Sequence, residues 1–147
     1  MKINTAYLGE VEINEEKIIT FEQGIPSFAD EKKFILLPFS EGTPFFILQS
    51  VNTRELGFVV VSPFQFFQDY QVKLSDATLD ALNIETEEEV AVFVILTVKE
   101  PFTNTTANLQ GPIIINSKRQ LGKQVVLSES NYKTKHLLIP EAVSQEG

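Results

Sequence analysis

The sequence predicts a mainly β domain, a small closed or nearly closed antiparallel β-barrel or sandwich with one or two short helices. Val, Ile, Thr and the aromatic residues, which favour strands, make up 52 of the 147 residues, whereas Ala, the best helix former, occurs only 7 times. Short apolar runs separated by Gly, Pro and Asn also recur along the chain at the spacing typical of barrel and sandwich strands.

Ten apolar runs are candidate strands. In chain order they span residues 3–8, 11–13, 17–21, 34–37, 45–51, 57–61, 71–74, 90–98, 113–115 and 124–127. Pro residues adjoin these runs without interrupting them, which removes the fewest ladder hydrogen bonds. The run 90–98 is apolar on both faces and therefore predicts a central strand that is covered on each side.

One helix is predicted to begin after Ser75. Ser75 is a good N-cap, because its hydroxyl can accept a backbone N–H of the first turn. Leu79 and Leu82 are three residues apart and share a face that can pack on the core, and Asn83 ends the helix. Residues 26–33 are predicted to hold a second short turn.

The composition excludes several classes of function. With no Cys and a single His, the chain lacks the ligands of Cys-based zinc sites, thiol nucleophiles and the residues of a His-dependent triad. The seven Gly are scattered, so no phosphate-binding loop is predicted. We therefore expect no enzymatic activity, no metal and no cofactor. A net charge of −8 argues against direct binding to nucleic acid, which requires basic charge.

The length suits one domain, predicted to span residues 1–140 and to be followed by a flexible polar tail over residues 141–147. The N-terminus lacks the apolar segment of a signal peptide. The longest uninterrupted apolar run has seven residues, 90–96. That is far short of the roughly 20 that span a bilayer. We therefore expect a cytoplasmic protein without a membrane segment.

Acidic charge is concentrated in the first two thirds of the chain. Residues 1–100 contain 7 Lys or Arg and 17 Asp or Glu, a net charge of −10, and residues 101–147 contain 5 and 3, a net charge of +2. The run Glu87–Glu89 directly precedes the most hydrophobic predicted strand. Two interpretations are open: the charges prevent wrong pairing of that strand, or they orient a basic partner.

Several of the twelve Phe residues are adjacent in sequence. Phe45 and Phe46 would point to opposite faces of a strand, so either both faces are covered or one ring is left for a partner. Phe64, Phe66 and Phe67 lie in a predicted turn, where three rings are hard to bury together. These rings either belong to the core or form an exposed aromatic anchor for a protein partner.

Motifs at residues 18–28, IITFEQGIPSF, and at residues 106–116, TANLQGPIIIN, follow one another in an order that resembles the family of the flagellar assembly factor FliW. Residues 18–28 are similar to the family signature F-x-x-G-(I/L)-P-G-F, with Ser27 where the family more often has Gly. Residues 106–116 resemble its pattern T-x-N-L-x-x-P-I-x-I-N. Ser62 stands before Pro63 where many relatives have Asp. The resemblance covers about residues 3–138.

The resemblance implies a small, mainly β, non-enzymatic domain that binds two proteins. One is CsrA, an RNA-binding regulator that represses flagellin translation, and the other is flagellin itself. In such a partner switch, flagellin that occupies the domain leaves CsrA free to repress, and secretion of flagellin frees the domain to antagonise CsrA. The alternatives are a chaperone for flagellin only and a small-ligand-binding β-barrel.

The candidate protein-binding residues fall in three segments. The loop 24–28 and the Phe-rich turn would supply apolar anchors, and acidic residues would set orientation and association rate. These residues are Gly24, Ile25, Pro26, Phe28, Pro63, Phe64, Phe67, Asp69, Glu87, Glu88 and Glu89. By contrast, Asn108 and Asn116 are expected to satisfy backbone groups of turns.

Overall fold

The structure, a computed structural model, describes residues 1–128 and 130–139. The predicted tail over residues 141–147 lies outside the described residues, as does residue 140. The described chain contains one α-helix, α1 (Asp76–Ala81), and these strands: β1 Lys2–Asn4, β2 Glu10–Glu12, β3 Ile19–Thr20, β4 Lys33–Pro38, β5 Phe46–Ser50, β6 Gly57–Val61, β7 Val90–Thr97, β8 Thr106–Ala107, β9 Ile113–Asn116, β10 Leu121–Gln124 and β11 His136–Leu137.

Seven strands close into a barrel. Hydrogen-bonded neighbours follow the order β7-β6-β5-β4-β3-β10-β9, and β9 pairs back with β7. Closure leaves no free edge around this circuit. Every pair in it is antiparallel except β3 and β10, which meet in parallel at Thr20 and Leu121. The prediction of a mainly β barrel with a short helix is confirmed.

Alternate residues of the barrel strands fill the barrel interior. Phe21, Phe34, Val60 and Ile113 are fully buried there in one apolar cluster. Gly122 leaves room for the ring of Phe21, because a Cβ at position 122 would lie 2.5 Å from its Cζ. The interior is therefore a packed core of side chains.

The outer faces of the barrel strands are covered as well. The hairpin β1–β2 and the segment after it bury Ile3 and Ile13 against Ile35 of β4. Strands β8 and β11 and the residues after β6 cover β5, β6 and β7 in a second outer cluster, which buries Val61 and Val94. Strand β7 is thus covered on both sides, which confirms the prediction from its two apolar faces.

Helix α1 begins and ends where the sequence predicts. The Ser75 Oγ accepts a hydrogen bond from the Thr78 N–H at 3.1 Å. Leu82 is buried, and Asn83 adopts a φ of +53° just beyond the helix. A positive φ is incompatible with a continuing helix, so the chain turns away at this point.

The strand predictions are wrong in four places, one of which is the run 124–127, since it shares only Gln124 with β10. Residues 71–74 form no strand, because within the described residues no neighbouring strand pairs with them. The predicted strand 3–8 ends at Asn4, since the N–H and Oγ of Thr5 both donate to the Gly9 carbonyl and turn the chain. Strands β8 and β11 are missing from the predicted set, because two residues are too few to show alternation.

Candidate partner-binding surface

The loop that carries the first candidate segment contains a tight turn. The Phe28 N–H donates to the Ile25 carbonyl at 2.6 Å, and the two residues form an isolated β-bridge. Pro26 and Ser27 occupy the central positions, and Ser27 has a φ of +76°. Pro followed by a residue with positive φ defines a type II turn. Gly adopts such a φ without strain, whereas the side chain of Ser27 makes it unfavourable.

Only part of this loop is available to a partner. Gly24 has a φ of +67°, and a Cβ there would lie 2.5 Å from a backbone oxygen of the same loop. Ile25 is buried in the barrel core. Pro26 is exposed, and Phe28 is 41% exposed with its ring edge-to-face on Phe58 at 5.9 Å. Gly24 and Ile25 therefore shape the loop, and Pro26 and Phe28 present its surface.

The second candidate segment follows β6. Pro63 begins a 3-10 turn, Pro63–Gln65, and is buried. Phe64 is 47% exposed, with its ring 6.1 Å from that of Tyr70. Phe67 packs half-buried against the outer cluster, and Asp69 is exposed. The core interpretation therefore holds for Phe67, and Phe64 remains accessible as an aromatic anchor.

The rings of the adjacent residues Phe45 and Phe46 point to opposite faces of the sheet. The ring of Phe46 faces the barrel interior and lies 5.9 Å from that of Phe93. Phe45 points outward and packs edge-to-face on Phe102 at 5.7 Å. Both faces of β5 are covered, so neither ring is left over for a partner.

The third candidate segment, Glu87–Glu89, is a 3-10 turn directly before β7. Glu87 and Glu88 are exposed. The Glu89 carboxylate instead accepts the Glu85 N–H at 2.9 Å and lies 3.8 Å from the Lys118 Nζ. Glu89 therefore holds the turn in place, and its two neighbours carry the free acidic charge.

The strand register places the candidate segments at two ends of the barrel. The loop 24–28 joins β3 to β4 at the end where β4 and β6 begin. The turn Pro63–Gln65 and the acidic turn Glu87–Glu89 lie at the opposite end, where β6 ends and β7 begins. The structure therefore brings Phe64, Glu87 and Glu88 to one end and places Phe28 at the other.

Two asparagines of the second motif bind turn backbone groups, as predicted. The Asn108 Oδ1 accepts the N–H groups of Gln110 and Gly111 at 3.1 and 2.9 Å. The fully buried Asn116 accepts two further backbone N–H groups through Oδ1 and donates through Nδ2 to the Leu82 carbonyl at 2.7 Å. Asn116 thus joins the β9–β10 turn to the end of α1.

Sequence reasoning missed a groove on the side of the barrel. This lateral groove lies between residues 71–75 on one side and residues 125–128 and 130–132 on the other, beside Phe64, and has a volume of about 1130 Å³. Directly before the wall 71–75, the buried Tyr70 hydroxyl donates to the Leu109 carbonyl at 2.7 Å, and burial raises the pKa of Tyr70. The two walls are some fifty residues apart in sequence, so no local motif could have indicated the groove.

His136 lies on β11 close to Tyr132, with their ring centroids 6.3 Å apart. Its Nε2 accepts the Lys133 N–H at 2.8 Å. Burial, followed by the charge of Lys133, lowers the pKa of His136. The residue is thus a structural acceptor, which requires its neutral form.

Comparisons with known proteins agree with these observations. The family model described as "FliW protein" matches residues 2–138. The chain belongs to the FliW family. It is 58% identical over 145 residues to the flagellar assembly factor FliW of Geobacillus kaustophilus, which covers 99% of this chain and 100% of that relative. It is 52% identical over 136 residues to FliW of Bacillus subtilis, which covers 92% and 95%.

A solved structure of the FliW family has the same fold. The crystal structure of the flagellar assembly factor FliW matches with a TM-score of 0.92 and 57% sequence identity, over 96% of this chain and 99% of that one. Within residues 1–128 and 130–139, no helix is long and apolar enough to cross a membrane. The same residues contain no group of three or more His, Asp or Glu side chains placed to hold a metal ion.

Proposed function

We propose that this member of the FliW family binds CsrA in the cytoplasm and antagonises its repression of flagellin translation, with flagellin as the competing partner. The function is partner exchange rather than catalysis. The observation that carries the proposal is the family match over nearly the whole chain, joined to an exposed aromatic ring and free acidic charge at one end of the barrel.

The end of the barrel near Phe64, Glu87 and Glu88 is the proposed CsrA-binding surface. Phe64 offers an apolar anchor, and aromatic anchors contribute much of the binding free energy in protein interfaces. Exposed carboxylates attract a basic partner and raise its association rate. An RNA-binding protein is basic where it contacts phosphate, so a bound domain with a net charge of −8 would also repel RNA.

The packed barrel interior does not favour the small-ligand alternative. Phe21, Phe34 and Val60 occupy the space in which such a barrel would hold its ligand. The flagellin-chaperone alternative differs in its partners, since it predicts binding to flagellin and none to CsrA.

Calorimetric titration of CsrA into the wild-type chain and into surface variants tests the proposal. We expect Phe64→Ala and the double variant Glu87→Lys/Glu88→Lys each to weaken CsrA binding by about tenfold. Glu89 is left unchanged, because its carboxylate holds the turn.

Val98→Ala is the control, since Val98 is 51% exposed and directly follows the end of β7, away from the Phe64 end of the barrel. Phe28→Ala tests whether the opposite end of the barrel contributes to CsrA binding. If both variants at the Phe64 end bind CsrA as tightly as wild type, that end is not the CsrA surface. If the wild-type chain binds flagellin but no CsrA, the chaperone function replaces the proposed one.

A further inference from the structure

The lateral groove has the size and the walls of a peptide site. Its volume of about 1130 Å³ exceeds the roughly 300–1,000 Å³ typical of small-molecule pockets. Five residues, 71–75, line one wall. At about 3.3 Å per residue they offer an edge of about 16 Å to an extended chain.

The second wall continues strand β10, and one side of its backbone makes no hydrogen bond to the described residues. The N–H groups of Val125 and Leu127 donate to the carbonyls of Pro112 and Gln110 at 2.9 and 2.8 Å, in the register of β9 and β10. In such a ladder the N–H and C=O of the intervening residue point to the other side. Those groups of Val126 have no hydrogen-bond partner among residues 1–128 and 130–139.

The first wall also offers backbone groups. Burial alternates along residues 71–75, with Val72 and Leu74 half-buried and their neighbours exposed, as in a strand. The N–H groups of Val72, Lys73 and Leu74 donate to no acceptor in the described part of the chain. Unpaired strand-like backbone of this kind is a template for an added strand.

The side chains in the groove favour an occupant that carries both apolar and acidic side chains. Val126 is 62% exposed and Phe64 is 47% exposed, so the groove presents two apolar contacts. Among the described residues that line the groove, Lys73 is the one charged side chain, and its ammonium group can pair with a carboxylate of the occupant.

We infer that the lateral groove binds an extended segment of a partner protein by β-strand addition. Main-chain hydrogen bonds to the unpaired walls supply affinity, an apolar side chain of the segment packs on Val126 and Phe64, and an acidic side chain faces Lys73. This inference concerns the chemistry of the recognised segment and does not depend on the identity of the partners proposed above.

Selection of short random peptides displayed on phage, with the full chain as the target, provides the probe. We expect enrichment of sequences that alternate apolar residues and include Asp or Glu. A synthetic consensus peptide should bind Val126→Asp and Lys73→Glu about tenfold more weakly than the wild-type chain. Val98→Asp and Lys99→Glu are matched controls, because both residues are exposed and lie outside the groove, and we expect them to bind like wild type.

N-methylation of the consensus peptide tests the main-chain contacts. Methyl groups on either alternating set of N–H groups should weaken binding about tenfold, because successive N–H groups of a strand point to opposite sides and each side faces one wall of the groove.

The proposal is overturned if no such sequences are enriched, if Val126→Asp and Lys73→Glu bind the consensus peptide like wild type, or if both methylated peptides bind like the parent. A dimer in size-exclusion chromatography that Val126→Asp dissociates would also overturn it, since the occupant would then be a second copy. Circular dichroism and melting curves establish that each variant is folded. No CsrA or flagellin enters this experiment, so its outcome is independent of the proposed partner switch.

Discussion

Replacing Asn116 by Ala removes a buried group that joins three parts of the fold. The side chain is fully buried and makes four hydrogen bonds. It donates to the carbonyls of Leu82 and Asn83 after α1, at 2.7 and 3.2 Å, and accepts the N–H groups of Lys118 and Arg119 in the β9–β10 turn, at 3.0 and 3.2 Å.

The expected loss follows from these bonds. Each contributes about 1 kcal/mol net to the free energy of unfolding. The two turn N–H groups belong to the exposed residues Lys118 and Arg119 and can bind water in the variant, whereas the buried Leu82 carbonyl is left without a partner. We expect Asn116→Ala to lower the free energy of unfolding by about 3 kcal/mol, and the melting temperature by about 9 °C at roughly 3 °C per kcal/mol.

Urea titration and calorimetric melting measure this loss. Asn52→Ala is the control, because Asn52 is an exposed asparagine of a loop and surface substitutions of this kind stay within about 0.5 kcal/mol. If Asn116→Ala is as stable as Asn52→Ala, the four bonds do not hold the end of α1 to the β9–β10 turn, and this role of Asn116 is wrong.

Three further predictions concern stability. Ser27→Gly relieves a φ of +76° and should raise the free energy of unfolding by about 1 kcal/mol in urea titration; a destabilised variant would contradict the type II turn. Tyr70→Phe leaves the Leu109 carbonyl unpaired and should lower the free energy of unfolding by about 1–3 kcal/mol, an effect that an unchanged melting temperature would disprove. The pKa of His136 is lowered in the folded state, so the unfolded chain binds a proton more readily; stability should fall as pH drops below the ordinary value of 6.5 and level off below the folded pKa. This fall in stability should be absent in His136→Gln. If it persists in that variant, other titratable groups cause it.

Local chemistry made some elements predictable. Ser75 and Asn83 mark the ends of α1 through a cap and a positive φ, which depend on neighbouring residues alone. The two apolar faces of β7 indicate burial on both sides before any partner is known. Alternation predicts a strand at residues 71–74 equally well, but a strand also needs a neighbour, and the sequence does not show which one.

Features that depend on distant pairing were beyond such reasoning. The closing contact of β7 with β9 and the parallel meeting of β3 with β10 join segments far apart in the chain. The same applies to the candidate site. The adjacent Phe residues in the sequence indicate Phe64 as a candidate, but only its exposure in the fold distinguishes it from the half-buried Phe67. Likewise, only the fold shows that the Glu89 carboxylate already accepts a hydrogen bond from the Glu85 N–H.

Calorimetric titration of CsrA into this chain, alone and then with flagellin already bound, tests the proposed partner switch most directly. We expect saturable binding of CsrA to the free chain and loss of that binding once flagellin is present. Binding of CsrA that is unchanged by saturating flagellin, or no binding of CsrA at all, would contradict it.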